Sequence, residues 1–228
     1  MSIKTPELAL PELVLLDLDG TLIDSIPDLA NAVNKTLSEL SIDQREINSI
    51  RNWVGNGAEK LLHRALSNDI NGEAEPELFK KALPRFMKIY EENMCVTTTC
   101  YPGVVEGIHF LKERGVKLGC VTNKPGAFVS PILEKLGLLN DMNIIVAGDT
   151  LPKKKPDPLP LLHAASVLKT EPKKSLMIGD SVSDVKSARA ADFQIVCVSY
   201  GYNHGKDIRD SKPDAVVDSL AELSQLFH

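Results

Sequence analysis

Cysteine is scarce in this sequence of 228 residues, and its few copies do not form a metal-binding pattern. The four cysteines stand at positions 95, 100, 120 and 197, with no CxxC pair and no histidine cluster nearby, which argues against a zinc site. Cys120 and Cys197 lie inside apolar runs, where a buried free thiol is expected. Because unpaired cysteines are typical of a reducing compartment, we predict a cytoplasmic location.

Long apolar segments are also missing. No stretch approaches the ~20 consecutive apolar residues that a membrane-spanning helix needs. The N-terminal residues Met1 to Pro11 show no basic-then-apolar pattern of a signal peptide. The sequence also contains no internal repeat and no low-complexity tract. We therefore predict a protein without a membrane partner.

The sequence has no excess of positive charge. Lysine and arginine total 26 against 31 acidic residues, which gives a net charge of −5. This balance argues against broad binding to a nucleic-acid backbone, although it leaves room for one small basic pocket. The share of apolar residues, 43%, is normal for a globular protein, and the length allows one domain of ordinary size plus a smaller insert.

Six short apolar runs follow one another along the chain, and most end at polar residues. The runs are Leu13–Leu16, Val116–Val121, Asn143–Val146, Leu176–Ile178, Ile195–Val198 and Ala215–Val217. Such runs are typical of strands buried on both faces of a parallel sheet. Helical patterns alternate with them at 104–114, 128–136, 158–168 and 184–191. The alternation predicts an α/β fold with a doubly wound, mainly parallel, Rossmann-like sheet.

One region breaks this alternation. Between about Ser25 and Met94 the sequence shows helical patterns and no convincing strand. The predicted helices are Pro27–Leu40, Glu46–Arg51, Ala58–Leu66 and Glu77–Asn93. We therefore predict an all-helical domain at 25–94, inserted into an α/β core formed by residues 1–24 and 95–228.

The first apolar run ends in Asp17-Leu18-Asp19-Gly20-Thr21. Two carboxylates so close together oppose each other's ionisation unless a cation lies between them, and Mg²⁺ is the hard cation that prefers oxygen ligands. Gly20 allows the backbone to pass close to a ligand, and Thr21 is suited to cap the next turn. Taken alone, the pair fits a loop with surface acids equally well.

A second acidic pair follows the fourth run, in Gly179-Asp180-Ser181-Val182-Ser183-Asp184. Alone, Asp180 and Asp184 would fit acids placed at a helix start by the helix dipole. The carboxyl ends of parallel strands, however, meet at one sheet edge, where ligands bind. The convergence of both pairs on that edge favours a functional site.

Two further polar segments are predicted to reach the same edge. Thr122 and Asn123 end the second run and have donors for a phosphate oxygen, although such residues also commonly cap helices. Lys155 precedes Pro156, which stiffens the backbone beside a charge suited to phosphate. Its neighbours Lys153 and Lys154 fit a solvated surface.

These segments resemble, in chain order, the four motifs of the haloacid dehalogenase-like hydrolase superfamily, and the helical insert looks like that family's type-1 cap. The resemblance implies a Mg²⁺-dependent phosphomonoester hydrolase with Asp17 as the nucleophile that forms an aspartyl-phosphate. It also implies Asp19 as general acid and then general base, and a catalytic role for Lys155 beside the phosphoryl group.

The resemblance further implies which residues bind the ion and the phosphate. Mg²⁺ would be bound by the Asp17 carboxylate, the Asp19 main-chain carbonyl and Asp180. Asp184 would hold either a metal-bound water or Lys155, with Ser181 in support. The phosphoryl group would be bound by Lys155, by Thr122 and by the amides near Leu18 and Asn123.

The substrate is indicated by the cap and the C-terminal segment. Asn52–Ala58 and Tyr200–Gly205 resemble the corresponding segments of family members that act on 2-phosphoglycolate, which implies a small anionic phosphate ester and its hydrolysis to glycolate and phosphate. Arg51, Gly55 and Asn56 are the candidates for substrate specificity. Arg51 fits recognition of a carboxylate and a helix-surface charge equally well.

Several alternatives stay open at this point. Another small-molecule or sugar phosphatase of the same superfamily is the strongest, and a β-phosphoglucomutase-like enzyme has the same two aspartates. A dehalogenase is disfavoured because it lacks an acid at the position of Asp19. A binding module without catalysis is disfavoured because every motif position is intact. The oligomeric state is not indicated by the sequence.

Overall fold

The protein is built around a parallel sheet, as seen in a computed structural model that describes residues 8–227. The strands are β1 (Leu13–Leu16), β2 (Ile23–Asp24), β3 (Thr99–Cys100), β4 (Lys117–Val121), β5 (Ile144–Val146), β6 (Ser175–Gly179), β7 (Gln194–Val198) and β8 (Ala215–Val217). Six of them form one sheet in the order β5-β4-β1-β6-β7-β8, with parallel pairing throughout. Each of the six predicted runs falls on one of these strands, so the α/β prediction is confirmed.

The central strand β1 shows why these runs are continuously apolar. All four of its residues are fully buried. Val14 and Leu16 point into one apolar cluster, whereas Leu13 and Leu15 point into the cluster on the opposite face. A strand covered on both faces needs apolar side chains at every position, because successive residues point to opposite sides.

Helices cover both faces of the sheet. They are α1 (Ile26–Glu39), α2 (Ile47–Trp53), α3 (Ala58–Ser67), α4 (Pro76–Asn93), α5 (Val104–Glu113), α6 (Gly126–Lys135), α7 (Leu159–Leu168), α8 (Val182–Ala190) and α9 (Leu223–Leu226), with short 3-10 helices at 139–141, 172–174, 208–211 and 220–222. The buried residues of α5, α6 and α9 belong to one apolar cluster and those of α7 and α8 to the other. The sheet is therefore doubly wound.

The segment between β2 and β3 is helical, as predicted, and consists of α1 to α4. Its own buried side chains include Leu37, Ile50, Leu62 and Phe86, each fully buried. The chain enters and leaves this helical insert through β2 and β3, which pair antiparallel. The sequence did not predict this ribbon because two-residue strands have no periodicity. The division into domains at 24/25 and 94/95 stays a prediction.

A buried carboxylate joins the two ends of the helical insert. Asp28, near the start of α1, is 3% exposed. It accepts hydrogen bonds from the backbone N–H groups of Val96, Thr97 and Thr98. It also accepts hydrogen bonds from the hydroxyls of Thr97 and Thr98, each at 2.6 Å. Because five donors from the exit segment reach one side chain of the entry helix, the two chain crossings are held together.

Three further features of the chain concern membrane-spanning helices, free thiols and the N-terminal residues. Among residues 8–227 no helix has the length and apolar character to cross a membrane. Cys120 and Cys197 are buried free thiols, as expected. The interpretation that no signal peptide is present concerns Met1 to Pro11, of which residues 1–7 lie outside the described part of the chain.

Candidate active site

Asp17 lies at the carboxyl end of β1. Its backbone N–H donates to the carbonyl of Ile178 at 2.9 Å, which keeps it in register with β6. One carboxylate oxygen, Oδ1, accepts from the N–H of Leu18 at 2.7 Å and lies 3.0 Å from Nζ of Lys155. Burial raises the pKa of Asp17 to about 6, and nearby Asp184 adds to the effect, although Lys155 opposes it. Asp17 is thus a carboxylate with an unusually high proton affinity.

Lys155 is the cation of this buried group. Its Nζ lies 3.0 Å from Oδ1 of Asp17 and 2.7 Å from Oδ1 of Asp184, and only 2% of its side chain is exposed. Burial disfavours the charged form, but the two carboxylates outweigh it, so the pKa of Lys155 is raised. Its neighbours Lys153 and Lys154 are exposed. Of the three lysines, therefore, only Lys155 is buried against the acidic residues.

Three carboxylates converge beside Lys155. Asp17, Asp180 and Asp184 each have an oxygen within 4.8 Å of the others. Burial raises the pKa of Asp180 well above its ordinary value, and the charges of Asp17 and Asp184 raise it further. Carboxylates this close are compatible with full ionisation only when a cation shares them. The group consists entirely of oxygen donors, which suits a hard divalent ion.

Asp180 is enclosed by backbone and by one hydroxyl. It accepts from the hydroxyl of Thr21 at 2.9 Å and from the N–H of Tyr202 at 2.6 Å. The hydroxyl of Thr21 thus binds this carboxylate instead of capping the next turn. Two glycines border the carboxylate: a Cβ on Gly20 would lie 2.4 Å from its Oδ2, and one on Gly201 would lie 2.1 Å from its Cβ. No other residue fits at these two positions without displacing Asp180.

Asp184 is held by the turn that begins α8. Its Oδ2 accepts from the hydroxyl of Ser181 at 2.7 Å and from the N–H of Ser181 at 3.1 Å. Its other oxygen accepts from Lys155. Both Asp184 and Ser181 are buried. Ser181 therefore orients Asp184, and Asp184 in turn positions Lys155.

Asp19 lies apart from these carboxylates and has partners of its own. Its Oδ1 accepts from the hydroxyl of Ser25 at 2.5 Å, and its two oxygens lie 3.0 and 3.1 Å from Nζ of Lys124. The side chain of Lys124 is 4% exposed. Burial disfavours its charge, but Asp19 and the phenol oxygen of Tyr90 outweigh this, so the pKa of Lys124 is raised.

Thr122 and Asn123 lie at the end of β4. The hydroxyl of Thr122 accepts from the N–H of Lys124 at 3.2 Å and so caps a turn within this loop. The side-chain amide of Asn123 donates to the carbonyls of Lys155 at 3.0 Å and of Gly55 at 3.2 Å. Gly55 belongs to the helical insert, so Asn123 links the insert to the core. Its Oδ1 is buried and accepts no hydrogen bond from the described residues.

A cavity of about 40 Å³ lies between the core and the helical insert. This is far below the ~300–1,000 Å³ of pockets for drug-sized ligands, and it suits a small molecule. Its lining combines core residues that include both aspartates of the first motif with mostly apolar residues of the insert. The lining residues are Asp17, Asp19, Leu29, Val54, Gly55, Gly57, Ala58, Leu61, Phe86, Tyr90, Thr122, Asn123, Lys124, Pro125 and Phe128.

The three specificity candidates occupy different places. Gly55 lines the cavity. Arg51 is not among the lining residues; its guanidinium lies 3.3 Å from Asp24 and 5.1 Å from the centre of the Tyr202 ring. Asn56 accepts from Arg64 at 2.9 Å and lines a separate polar cavity on the insert.

Several residues around the cavity were missed by the sequence analysis. Lys124 belongs to the segment of the second motif but was given no role, because its partner Asp19 is 105 positions away and nothing local indicates the pair. Tyr90 meets Phe128 edge-on, with ring centres 5.0 Å apart. Aromatic residues on helices are usually core residues, and no sequence signal distinguishes these two. Arg64 was also missed, because a single arginine on an amphipathic helix gives no indication of a special role.

The fold and the site together define an α/β protein with an acidic cluster at the carboxyl edge of its sheet, under a helical insert. The family model for haloacid dehalogenase-like hydrolases matches residues 14–198. The chain therefore belongs to the haloacid dehalogenase-like hydrolase family.

Similar proteins within the family cover nearly the whole chain. The phosphoglycolate phosphatase of Nitrosococcus oceani is 52% identical over 217 residues, which cover 95% of this chain and 96% of the relative. That of Nitrosospira multiformis is 46% identical, covering 94% of each chain. The crystal structure of a predicted phosphoglycolate phosphatase from Haemophilus somnus superimposes with a TM-score of 0.90 at 35% identity, covering 96% of this chain and 98% of that one.

Proposed function

We propose that this chain is a Mg²⁺-dependent phosphoglycolate phosphatase, which hydrolyses 2-phosphoglycolate to glycolate and inorganic phosphate. The observation that carries the proposal is the convergence of Asp17, Lys155, Asp180 and Asp184 at one sheet edge. The choice of substrate is supported by the relatives of that name, up to 52% identical over nearly the full length, and by the small size of the cavity.

In the first step, a carboxylate oxygen of Asp17 attacks the phosphorus atom. The bond between phosphorus and the ester oxygen breaks, which leaves an aspartyl-phosphate on Asp17. Asp19, in its protonated form, donates its proton to the departing oxygen of glycolate. Lys155, the hydroxyl of Thr122 and the amides near Leu18 and Asn123 would bind the phosphoryl oxygens, where negative charge is concentrated in the transition state.

In the second step, water attacks the phosphorus of the aspartyl-phosphate. Asp19, now ionised, accepts a proton from this water. The bond between phosphorus and the Asp17 oxygen breaks, which releases inorganic phosphate and restores both carboxyl groups to their starting states. The roles of Asp19 as proton donor and then proton acceptor are consistent with its side chain, which lies outside the group of carboxylates proposed to bind the metal.

The cluster of Asp17, Asp180 and Asp184 fits Mg²⁺ by its chemistry. Its donors are oxygens, and the pKa of Asp180 is raised by burial and by the neighbouring acids. Asp17, Asp180 and the main-chain carbonyl of Asp19 would hold the ion. Asp184, which already binds Lys155, would support this arrangement together with Ser181. When bound, the ion supplies positive charge that offsets the carboxylates and the phosphoryl group.

The helical insert at 25–94 would act as a cap domain over this site. Its residues Leu29, Val54, Leu61 and Phe86 form an apolar part of the wall of the cavity that Asp17 and Asp19 also line. An apolar wall excludes bulk water from the site and strengthens the electrostatic interactions inside it. The cap would thereby both admit small substrates and protect the aspartyl-phosphate.

The test is a steady-state comparison of phosphate monoesters with and without Mg²⁺. The set includes 2-phosphoglycolate, several sugar phosphates and β-glucose 1-phosphate, the last assayed for isomerisation as well as phosphate release. We expect the highest kcat/KM with 2-phosphoglycolate and loss of turnover after chelation of the metal. A much higher kcat/KM for a sugar phosphate, or isomerisation in place of hydrolysis, would overturn the proposed substrate.

A further inference from the structure

One cationic side chain lines the cavity in the part of the chain that the structure describes. Among the described residues that line it, Lys124 is the only one with a cationic side chain. Lys124 belongs to the core, because it directly follows Asn123 after the end of β4. A substrate with a carboxylate in addition to its phosphate would meet this ammonium group inside the cavity.

Among the described residues, the charge of Lys124 is balanced by one carboxylate, that of Asp19. Its Nζ contacts the carboxylate of Asp19 at 3.0 and 3.1 Å and lies 4.8 Å from the centre of the Tyr90 ring. A buried ammonium needs such partners, since burial without them disfavours its charge. A second carboxylate that entered the cavity would therefore compete with Asp19 for Lys124.

Arg51, the other candidate for binding a carboxylate, is placed differently. Its guanidinium pairs with Asp24 and stacks near Tyr202, and Arg51 is not among the residues that line the cavity. Binding of the substrate by Arg51 would require it to leave both partners and enter the cavity. Lys124 requires no such movement of the chain.

We propose that Lys124 binds the substrate carboxylate. The inference rests on the proposed function. In 2-phosphoglycolate a single methylene group separates the ester oxygen from the carboxylate carbon. If Asp19 reaches the ester oxygen, then the ammonium group that contacts Asp19 lies within reach of the substrate carboxylate. The preferred substrates are thus phosphate esters of 2-hydroxy acids.

This contact would make the enzyme selective for esters that have a carboxylate. An ester with the carboxylate offers Lys124 a new partner and leaves Asp19 bonded to Ser25 alone. A neutral ester offers no such partner, so Lys124 stays on Asp19 and gains no new interaction. Sites that bind a polar group of the substrate reject analogues without it strongly, because their buried polar groups lose a partner.

The experiment compares kcat/KM for 2-phosphoglycolate and for 2-hydroxyethyl phosphate, in which a neutral hydroxymethyl group replaces the carboxylate. The enzymes are the wild type, Lys124→Met and the control Arg51→Met. We expect the wild type to prefer 2-phosphoglycolate, and Lys124→Met to lose that preference by roughly 10²-fold or more. In Arg51→Met the preference should match that of the wild type.

A binding measurement covers the case in which Lys124→Met has little activity. On the Asp17→Asn background, calorimetry gives the affinities for 2-phosphoglycolate and for inorganic phosphate, with and without Lys124→Met. We expect Lys124→Met to weaken the binding of 2-phosphoglycolate by at least tenfold more than the binding of phosphate, roughly, since only 2-phosphoglycolate has a carboxylate. A merely structural role would weaken both equally.

The possible failures are distinct. If the wild type prefers 2-phosphoglycolate and Lys124→Met keeps that preference, or if Arg51→Met loses it, Lys124 is not the carboxylate receptor and this inference is wrong. If the wild type hydrolyses neither ester but acts well on another, the proposed function itself fails, and the role of Lys124 with it.

Discussion

The chemistry of Asp17 follows from where its carboxylate is buried. Burial, with Asp184 beside it, raises its pKa from 3.8 to about 6, although Lys155 at 3.0 Å opposes the shift. In the folded protein without metal, the ionised form is therefore less favourable than in the unfolded chain. Between pH 3.8 and about 6 the folded state binds more protons at this residue, so its contribution to stability falls as the pH rises.

We predict that Asp17→Asn separates stability from activity. The variant should lose turnover by roughly 10³-fold or more, since the attacking oxygen is removed. Without metal at pH 7 it should be more stable than the wild type, by on the order of 1–3 kcal/mol, because Asn mimics the protonated form. Denaturant unfolding at pH 5 and pH 7.5 measures this.

The matched control for that measurement is Asp43→Asn. Asp43 is exposed on the helical insert, so its replacement should leave both stability and turnover near those of the wild type. Full Mg²⁺-dependent activity in Asp17→Asn would show that the nucleophile is another residue. A stability deficit at pH 7.5 that grows with pH would contradict the sign of the pKa argument.

Some of the residues that the sequence revealed stand directly after buried strands. Asp17 and Asp180 were found in this way, and the structure places them together with Asp184. Lys124 and Tyr202 were not found, because each meets its partner only through the fold. The N–H of Tyr202 reaches Asp180 from 22 positions away, and no local pattern indicates such a contact.

Among the elements, the loop between α2 and α3 depends on one arginine. Arg64, buried on α3, donates to the carbonyl of Trp53 at 2.5 Å, to the side chain of Asn56 at 2.9 Å and to the carbonyl of Ile70 at 2.7 Å. The planar guanidinium has donors in fixed directions for all three acceptors. This loop carries Gly55 to the cavity wall, so Arg64 sets the position of part of that wall.

We predict that Arg64→Lys loosens this loop. A single ammonium group cannot serve the three acceptors at once, so KM for the preferred ester should rise by about tenfold, with a smaller change in kcat. Stability should fall by roughly 1–3 kcal/mol as buried carbonyls lose their donor. Steady-state kinetics at a temperature well below unfolding measure the first effect.

Arg45→Lys is the control for Arg64→Lys. Arg45 also donates to a carbonyl of the helical insert, that of Ala65 at 2.9 Å, but it makes no hydrogen bond to the loop. Its replacement should alter stability without altering KM. Equal KM values for Arg64→Lys and the wild type would mean that the loop keeps its position without the arginine.

At the scale of the whole molecule, the helical insert and the core are joined near Asp28. Burial would raise the pKa of Asp28, but the hydrogen bonds from the hydroxyls and N–H groups of Thr97 and Thr98 outweigh it and lower the pKa. A lowered folded-state pKa gives stability that is present above the ordinary value of 3.8 and is lost as the pH falls below it. This carboxylate therefore favours the folded protein at neutral pH, in contrast to Asp17.

We predict that Asp28→Asn lowers the free energy of unfolding at pH 7 by about 2–3 kcal/mol. The amide NH2 of asparagine is itself a hydrogen-bond donor, so it would face the donors that one carboxylate oxygen of Asp28 now accepts from. The deficit should shrink below pH 4, where the wild type loses the same interactions. Denaturant unfolding across this range measures both effects. A deficit that is constant with pH would place its origin in packing and not in the carboxylate charge.

The overall architecture was predictable because it depends on periodicity. Continuous apolar runs gave the six strands of the sheet, and helical spacing gave α1 to α4 of the insert. The sequence pattern did not contain features that are short or that depend only on the fold. These are the ribbon of β2 and β3, the hydrogen bonds by which Asp28 joins the two ends of the insert, and the contact of Asn123 with Gly55. These depend on distances between segments far apart in the chain.

The two glycines that enclose Asp180 also determine how this chain tolerates mutation. A methyl group on Gly20 or Gly201 would lie 2.4 or 2.5 Å from Oδ2 of Asp180, although neither glycine has a side chain for chemistry. Random substitution at these codons is therefore expected to be as damaging as substitution of a catalytic residue. In a library selected for activity, both positions would appear invariant: Gly201 for a reason of space, and Gly20 also because its φ of +89° disfavours any side chain.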